Sequence, residues 1–156
     1  MAASFLHTCK IVLLIICMFA SLFEAFYAIW KRNNYAMFSC LLLEITCVLL
    51  IHMHSRDAKG KLFEDYSRKK LMAVIVFGCV EWPLTLAGSI FLLVSGIIHK
   101  QGFQVEDDGY FYAFIPCVLA NIWSAVLIYD ARCFRQKFDE YEAQVQQNNR
   151  TDIPAV

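Results

Sequence analysis

Glu24, Glu44, Glu81 and Asn121 each interrupt a long run of leucine, isoleucine, valine and phenylalanine. In a membrane such a side chain either hydrogen-bonds a neighbouring helix or relays a proton or cation, because facing lipid costs a carboxylate about 2.5–3.5 kcal/mol on insertion scales. No Lys, Arg or His lies inside the core of these runs to neutralise the carboxyls, so they are expected as neutral hydrogen-bonding groups. Glu44 and Glu81 form the best candidate for a functional pair. Pro83, two residues after Glu81, frees the Cys79 carbonyl from its backbone bond and predicts a local break beside the carboxyl.

Small residues recur around these groups at helical intervals. Cys17, Ala20, Ser21, Glu24, Ala25 and Ala28 fall on one face of a helix, as do Cys117, Ala120, Asn121, Ser124 and Ala125. Gly78, Glu81, Thr85, Gly88 and Ser89 make a third such stripe, and Cys40, Glu44 and Cys47 a shorter fourth. Lipid is as apolar as leucine, so membrane helices associate through small residues and interhelical hydrogen bonds, and these stripes should face inward. Counting 1.5 Å per residue from the 31–34 and 99–109 connections puts Glu44 roughly 14 Å deep, Asn121 roughly 16 Å, Glu81 roughly 18–25 Å and Glu24 roughly 9 Å. That predicts a shared polar layer, with Glu24 a little above the rest.

The elements that must position this layer follow from the composition. The 156 residues are 59% hydrophobic and 18% charged, against roughly 45–50% and about 25% in soluble domains. Segments 11–30, 35–54, 71–98 and 111–129 each reach the roughly 20 apolar residues that cross a bilayer. The expected fold is all-α: an integral membrane four-helix bundle over 11–130, preceded by a cytoplasmic N-terminus, 1–10. An amphipathic cytoplasmic extension of the last helix, 131–147, and a flexible tail, 148–156, follow it. A secretory signal peptide is disfavoured, since the first apolar run continues to Trp30 without a small-x-small cleavage site.

Orientation follows from the cations near the span ends. Ten lie on the side shared by the N-terminus, the 55–70 connection and the segment after span four, and three on the other, so both termini are expected in the cytoplasm. The sequon Asn149-Arg150-Thr151 would then remain unmodified. Tyr27, Trp30, Tyr35, Tyr110 and Tyr112 gather at the opposite interface as an aromatic belt. Lysines and arginines balance aspartates and glutamates at fourteen each, which leaves no basic field for nucleic acid.

Of seven cysteines, five lie within spans, where packing is the expected role. The outer connections contain none, unlike the paired extracellular cysteines of claudin-like or tetraspanin-like proteins. Cys9 and Cys133, at the cytoplasmic boundary, are lipidation candidates. His52 and His54 point about 200° apart on a helix and make no metal face. The 55–70 connection, with six cations and three anions, is either a positive-inside loop with no ligand, the favoured reading, or a segment that lies on anionic headgroups through its charges and the apolar trio Leu62, Phe63 and Tyr66. Phe134, Phe138, Tyr141 and Val145 recur at four, three and four residues, a strip that either packs under the bundle or docks a partner.

The layout of four spans, short outer connections and cytoplasmic ends resembles that of small tetraspan trafficking proteins such as the MARVEL group, in topology over residues 11–129 and without a shared motif. The expected function is a non-enzymatic scaffold, trafficking factor or accessory subunit, embedded in the bilayer with other membrane proteins or a second copy as partners. The alternative is a small proton- or cation-linked transporter or channel component using the intramembrane glutamates. No phosphate loop, metal cluster or nucleophile–base arrangement suggests an enzyme, and neither a cofactor nor a metal is expected.

Overall fold

A computed structural model of the chain describes residues 2–106 and 109–151, with side chains over 7–106 and 109–147. It contains five helices: α1 (Ala2–Trp30), α2 (Asn34–Ala58), the single-turn α3 (Leu62–Asp65), α4 (Arg68–Ile98) and α5 (Tyr110–Thr151). No strand occurs among the described residues. Four helices, all but α3, are long and apolar enough to cross a membrane. The architecture is therefore all-α and of the multi-pass membrane type. At 1.5 Å per residue the 42 residues of α5 extend about 63 Å, twice the hydrocarbon thickness of roughly 30 Å, so one end of this helix must leave the bilayer. It runs unbroken through the expected extension to Thr151; residues 152–156, the remainder of the expected tail, lie outside the described residues.

α2 packs against both α1 and α5, and α5 against both α2 and α4, whereas α2 and α4 meet sparingly. α1 is the least covered of the four long helices and α2 the most. Two cores fill the bundle. At the end carrying the 31–33 and 99–109 connections, the core is made of small residues, with Ala28, Ala36, Ala113 and Cys117 around Leu92. At the other end larger side chains interdigitate, among them Leu14, Leu43, Leu50, Met53, Leu71, Trp123, Leu127 and Phe134. These are called the Asn33 end and the Asp130 end, after the polar residue each buries.

The Asn33 end is closed by the backbone. Past α1 the chain turns at Arg32 (φ 57°), with the Asn33 N–H donating to the Ala28 carbonyl; past α4 it turns at Lys100 (φ 49°), with the Gln101 N–H donating to the Gly96 carbonyl. Both are left-handed helix ends of the kind glycine usually supplies. Gly109, where the second connection enters α5, cannot be replaced cheaply: a Cβ there would lie 2.2 Å from the Gln104 carbonyl oxygen. At the other end α3 closes beneath the bundle. Leu62 and Tyr66 enter the core, and Phe63 stacks on Tyr141 at 5.3 Å between ring centres and meets the edge of Phe138 at the same distance.

The small-residue stripes face inward with two exceptions. Ser21, Ala25, Ala28, Cys40, Cys47, Gly78, Glu81, Thr85, Ser89, Cys117, Ala120 and Ser124 are buried, but Ala20 and Ala125 are exposed and Val126 is half-buried. The stripe on α5 is therefore narrower than its spacing implies, because α5 meets α2 on one flank and α4 on the other and leaves Ala125 outside both contacts. α4 passes Pro83 as a continuous helix, so the proline removes one donor without producing the expected break.

Candidate functional site

Glu44 and Glu81 stand on different helices and each meets a hydroxyl on a neighbour. The hydroxyl of Ser21 on α1 lies 2.6 Å from Glu44 Oε2 and 2.9 Å from the Met18 carbonyl. Thr46 of α2 repeats the arrangement with α4: its Oγ1 lies 2.6 and 2.7 Å from the two Glu81 oxygens and 3.1 Å from the Leu42 carbonyl. A hydroxyl has one proton to donate. When the carboxyl is neutral, its own O–H can donate to the hydroxyl oxygen, and the hydroxyl then donates to the backbone carbonyl of its own helix. Every polar atom in that relay is satisfied, which suits a carboxyl held away from water.

Glu24 is paired more weakly, with the Cys40 thiol donating to its Oε2 at 3.7 Å. Glu24 and Ser21 on α1 thus stand opposite Cys40 and Glu44 on α2 in antiparallel order, forming a polar seam between these two helices. Asn121 belongs to another interface. Its amide donates to the Trp82 carbonyl at 2.8 Å and to Thr85 Oγ1 at 3.2 Å, while the Cys117 thiol donates to the Thr85 carbonyl at 3.3 Å. Asn121 therefore reaches the α4 backbone at the residue preceding Pro83.

The four polar residues of the expected layer are divided among three interfaces. Glu24 and Glu44 join α1 to α2, Glu81 joins α4 to α2, and Asn121 joins α5 to α4. Positions 44 and 46 of α2 point about 200° apart, so Glu44 and the residue that binds Glu81 look in nearly opposite directions. Among the described residues no hydrogen bond connects Glu44 to Glu81, and no cluster of three or more His, Cys, Asp or Glu side chains could hold a metal ion.

A second polar centre lies at the Asp130 end, where the apolar run of α5 stops. Asp130 accepts hydrogen bonds from Lys10 of α1 and, at 2.9 Å, from His54 Nε2 of α2, tying three helices together. A carboxylate that accepts from Lys10 has no proton to give, so His54 Nε2 is the donor, and its buried Nδ1 meets no hydrogen-bond partner among the described residues. The His54 ring lies edge-on to Phe134 and His7, at 5.4 and 5.0 Å between ring centres. His52 points elsewhere, with Nδ1 2.7 Å from the Tyr66 hydroxyl. Burial, with Asp65 adding to it, pushes that phenol above its ordinary value, and the His52 tautomer decides which of the two donates.

At the Asn33 end one buried amide makes three contacts. Asn33 Oδ1 accepts from the Ala36 N–H at 2.9 Å and caps α2, while Nδ2 donates to the Val105 and Gly109 carbonyls at 3.2 Å each. The Lys31–Glu106 ion pair, 2.6 Å, sits outside it. Neither Asn33 nor the Lys10–Asp130–His54 group was anticipated from the spacing of span residues. Asn33 carries the signal of an N-cap residue just before an apolar run. Asp130 shows only as the first charge after one.

The remaining candidates are dispersed. Cys9 is exposed and Cys133 half-buried, both as free thiols. Phe134 is buried in the core, Phe138 and Tyr141 are engaged by Phe63, and Val145 alone of the strip is exposed with no ring against it. The apolar trio of the 55–70 connection is turned into the bundle, leaving Lys59, Lys61, Arg68, Lys69 and Lys70 outward. No protein-family model matches the chain, and neither does any curated protein or solved structure.

Proposed function

We propose that the chain is a non-enzymatic four-helix membrane protein that works as a scaffold, trafficking factor or accessory subunit of a membrane complex, with both termini in the cytoplasm. The observation that carries this reading is the pairing of each intramembrane carboxyl with a hydroxyl or thiol across a helix interface, with Glu24 and Glu44 in the α1–α2 seam and Glu81 at α2–α4. Each carboxyl meets a hydroxyl or thiol of the adjacent helix, and the pairs point in different directions instead of forming a file through the bundle. Hydrogen bonds arranged this way fix which helices are neighbours, at about 0.6–2 kcal/mol per contact. Of the outward cations of the 55–70 connection, Arg68 pairs with Asp139 and Lys70 donates to the Asp65 carbonyl, which leaves Lys59, Lys61 and Lys69 for anionic headgroups, and exposed Cys9 is the better lipidation candidate.

The competing reading, a proton- or cation-linked transporter component, draws on Thr46, whose single hydroxyl proton faces three acceptor oxygens. Glutamine separates the two readings, since it keeps a donor and an acceptor but cannot titrate. Purified protein in liposomes with a pH-sensitive dye should show no proton or cation flux. Glu44→Gln and Glu81→Gln should fold and retain the same co-purifying proteins in mild detergent, whereas Glu81→Leu should lose about 1–2 kcal/mol by removing the bond to Thr46 across the α2–α4 interface. Flux in the unsubstituted protein that either Gln change abolishes, with folding intact, would reverse the assignment.

A further inference from the structure

The sparing contact between α2 and α4 leaves a cleft on the Asn33 side of the Thr46–Glu81 bond. Its volume is about 220 Å³, and Phe38, Ser39, Leu84, Thr85, Gly88 and Cys117 line it. Tyr35, Phe38 and Leu84 stand at its mouth, 39%, 54% and 51% exposed, on a surface that in a bilayer meets lipid. Ser39, Thr85 and Cys117 form its buried wall. Gly88 keeps it open, since any side chain there would be added to a Cβ already 3.2 Å from Cys117 Sγ. From Asn34 to Leu42, both in the lining, the cleft runs about 12 Å along α2.

The polar groups of that wall are already used, with one exception. The Thr85 hydroxyl lies 3.0 Å from the Glu81 carbonyl, and the Cys117 thiol donates to the Thr85 carbonyl. Ser39 is 4% exposed, and its hydroxyl, facing the cleft, has no hydrogen-bond partner among the described residues. A hydroxyl that opens on an apolar cleft without a partner forfeits a bond that water or a bound molecule would supply.

The geometry points to a binding site for a neutral lipid alcohol or ketone: an apolar body about as long as the cleft, carrying one oxygen that hydrogen-bonds Ser39. The depth of Ser39 selects the class. It lies roughly 7–8 Å along α2 from Asn34, and a lipid whose oxygen reached that level while bearing a phosphate headgroup would draw charge into the hydrocarbon. A neutral molecule can sink that far. Entry is lateral, between Phe38 and Leu84, and the bound molecule extends the sparing α2–α4 contact made by Thr46 with Glu81 and by the Tyr35 and Phe91 rings.

Photolabelling of the full-length protein in liposomes tests this, using a photoreactive sterol and a photoreactive farnesol analogue against a photoreactive phosphatidylcholine. At least one neutral probe should label peptides around Ser39 and Leu84–Leu92, and an excess of the same unlabelled alcohol should compete. Ser39→Ala keeps the cleft but removes the bond, and should weaken competition about fivefold. Leu84→Trp, at an exposed position that places no strain on folding, should block the mouth and abolish labelling. Labelling by phosphatidylcholine equal to that by the alcohols, or competition unchanged in Ser39→Ala, would reduce the cleft to a groove filled by ordinary acyl chains. Labelling of these peptides by no probe would overturn the site.

Discussion

The two ends of the bundle bury polar side chains in opposite ways. At the Asn33 end a single neutral amide, fully buried, spends its three hydrogen bonds on backbone groups, at the end whose core is alanine and cysteine around Leu92. At the Asp130 end a carboxylate is shared by a lysine and a histidine from two other helices, beneath a core of leucine, tryptophan and phenylalanine. The amide holds connections to helix ends and needs only that the backbone arrive in the right place. The carboxylate holds helix to helix through side chains, so its contribution depends on all three remaining present. A neutral group fully satisfied by backbone gives a strong local closure; a shared charge gives long-range coupling with more to lose when one member is removed.

The comparison is broken most directly at Asp130. Asp130→Leu removes the acceptor for both Lys10 and His54 and leaves a cation beside the core, for an expected loss of about 3 kcal/mol in detergent unfolding experiments. Asp130→Asn, which keeps an oxygen acceptor, should lose about half of that. Equal losses in the two variants would mean that the charge itself, and not hydrogen bonding, couples the helices. A loss in Asp130→Leu smaller than that in Asn33→Leu would reverse the contrast between the ends.

Asn33→Leu is expected to cost about 2 kcal/mol, combining a lost helix cap of about 1 kcal/mol with the loss of the amide bonds to the Val105 and Gly109 carbonyls, of which Gly109 keeps the Ala113 N–H. The damage should be local. Proteolysis within 99–109 should accelerate, while cleavage within the 55–70 connection stays as before. Asn33→Ser, which can still cap α2 but cannot reach Val105 and Gly109, should fall between the two and show the same loop sensitivity. Faster cleavage of both connections would make Asn33 a global support like Asp130.

Much of this was legible in the sequence for a physical reason. Four long apolar helices follow from hydrophobic length alone, and the inward stripes of Ser21, Glu24, Glu81 and Thr85 from helical periodicity. Which polar residues meet was not legible, because periodicity gives the face of one helix but not the order of helices around the bundle. Glu44 and Glu81 are expected at a similar depth, yet α2 presents Glu44 to α1 and Thr46 to Glu81 of α4, so depth alone did not make them neighbours. Ala125 shows the same limit: it belongs to the stripe by spacing and falls outside the contact because α5 divides its surface between two partners. The α3 turn was hidden as well, since an apolar trio in a basic loop fits a membrane surface and the underside of a bundle equally well.

The smallest expected effect sharpens the contrast at the Asn33 end, where an ion pair lies just outside the buried amide. The hydrogen bond from Lys31 holds the Glu106 carboxyl below its ordinary range, and the same bond raises Lys31 above its own. A carboxyl lowered on folding stabilises above its unfolded value, and that contribution is lost as pH falls through the lowered value. A lysine raised on folding stabilises below its unfolded value and loses the contribution as pH rises through the raised one. The pair is therefore fully formed across neutral pH and weakens at both extremes. Because it is exposed, salt should screen it. Glu106→Gln should lower the unfolding midpoint by less than either substitution above, and only at low salt and near neutral pH; at acid pH, where Glu106 itself is protonated, the two proteins should unfold together. A Glu106→Gln effect that matches Asn33→Leu and persists in high salt would show that this end is held by charge after all, and that the two ends of the bundle differ less than their buried residues suggest.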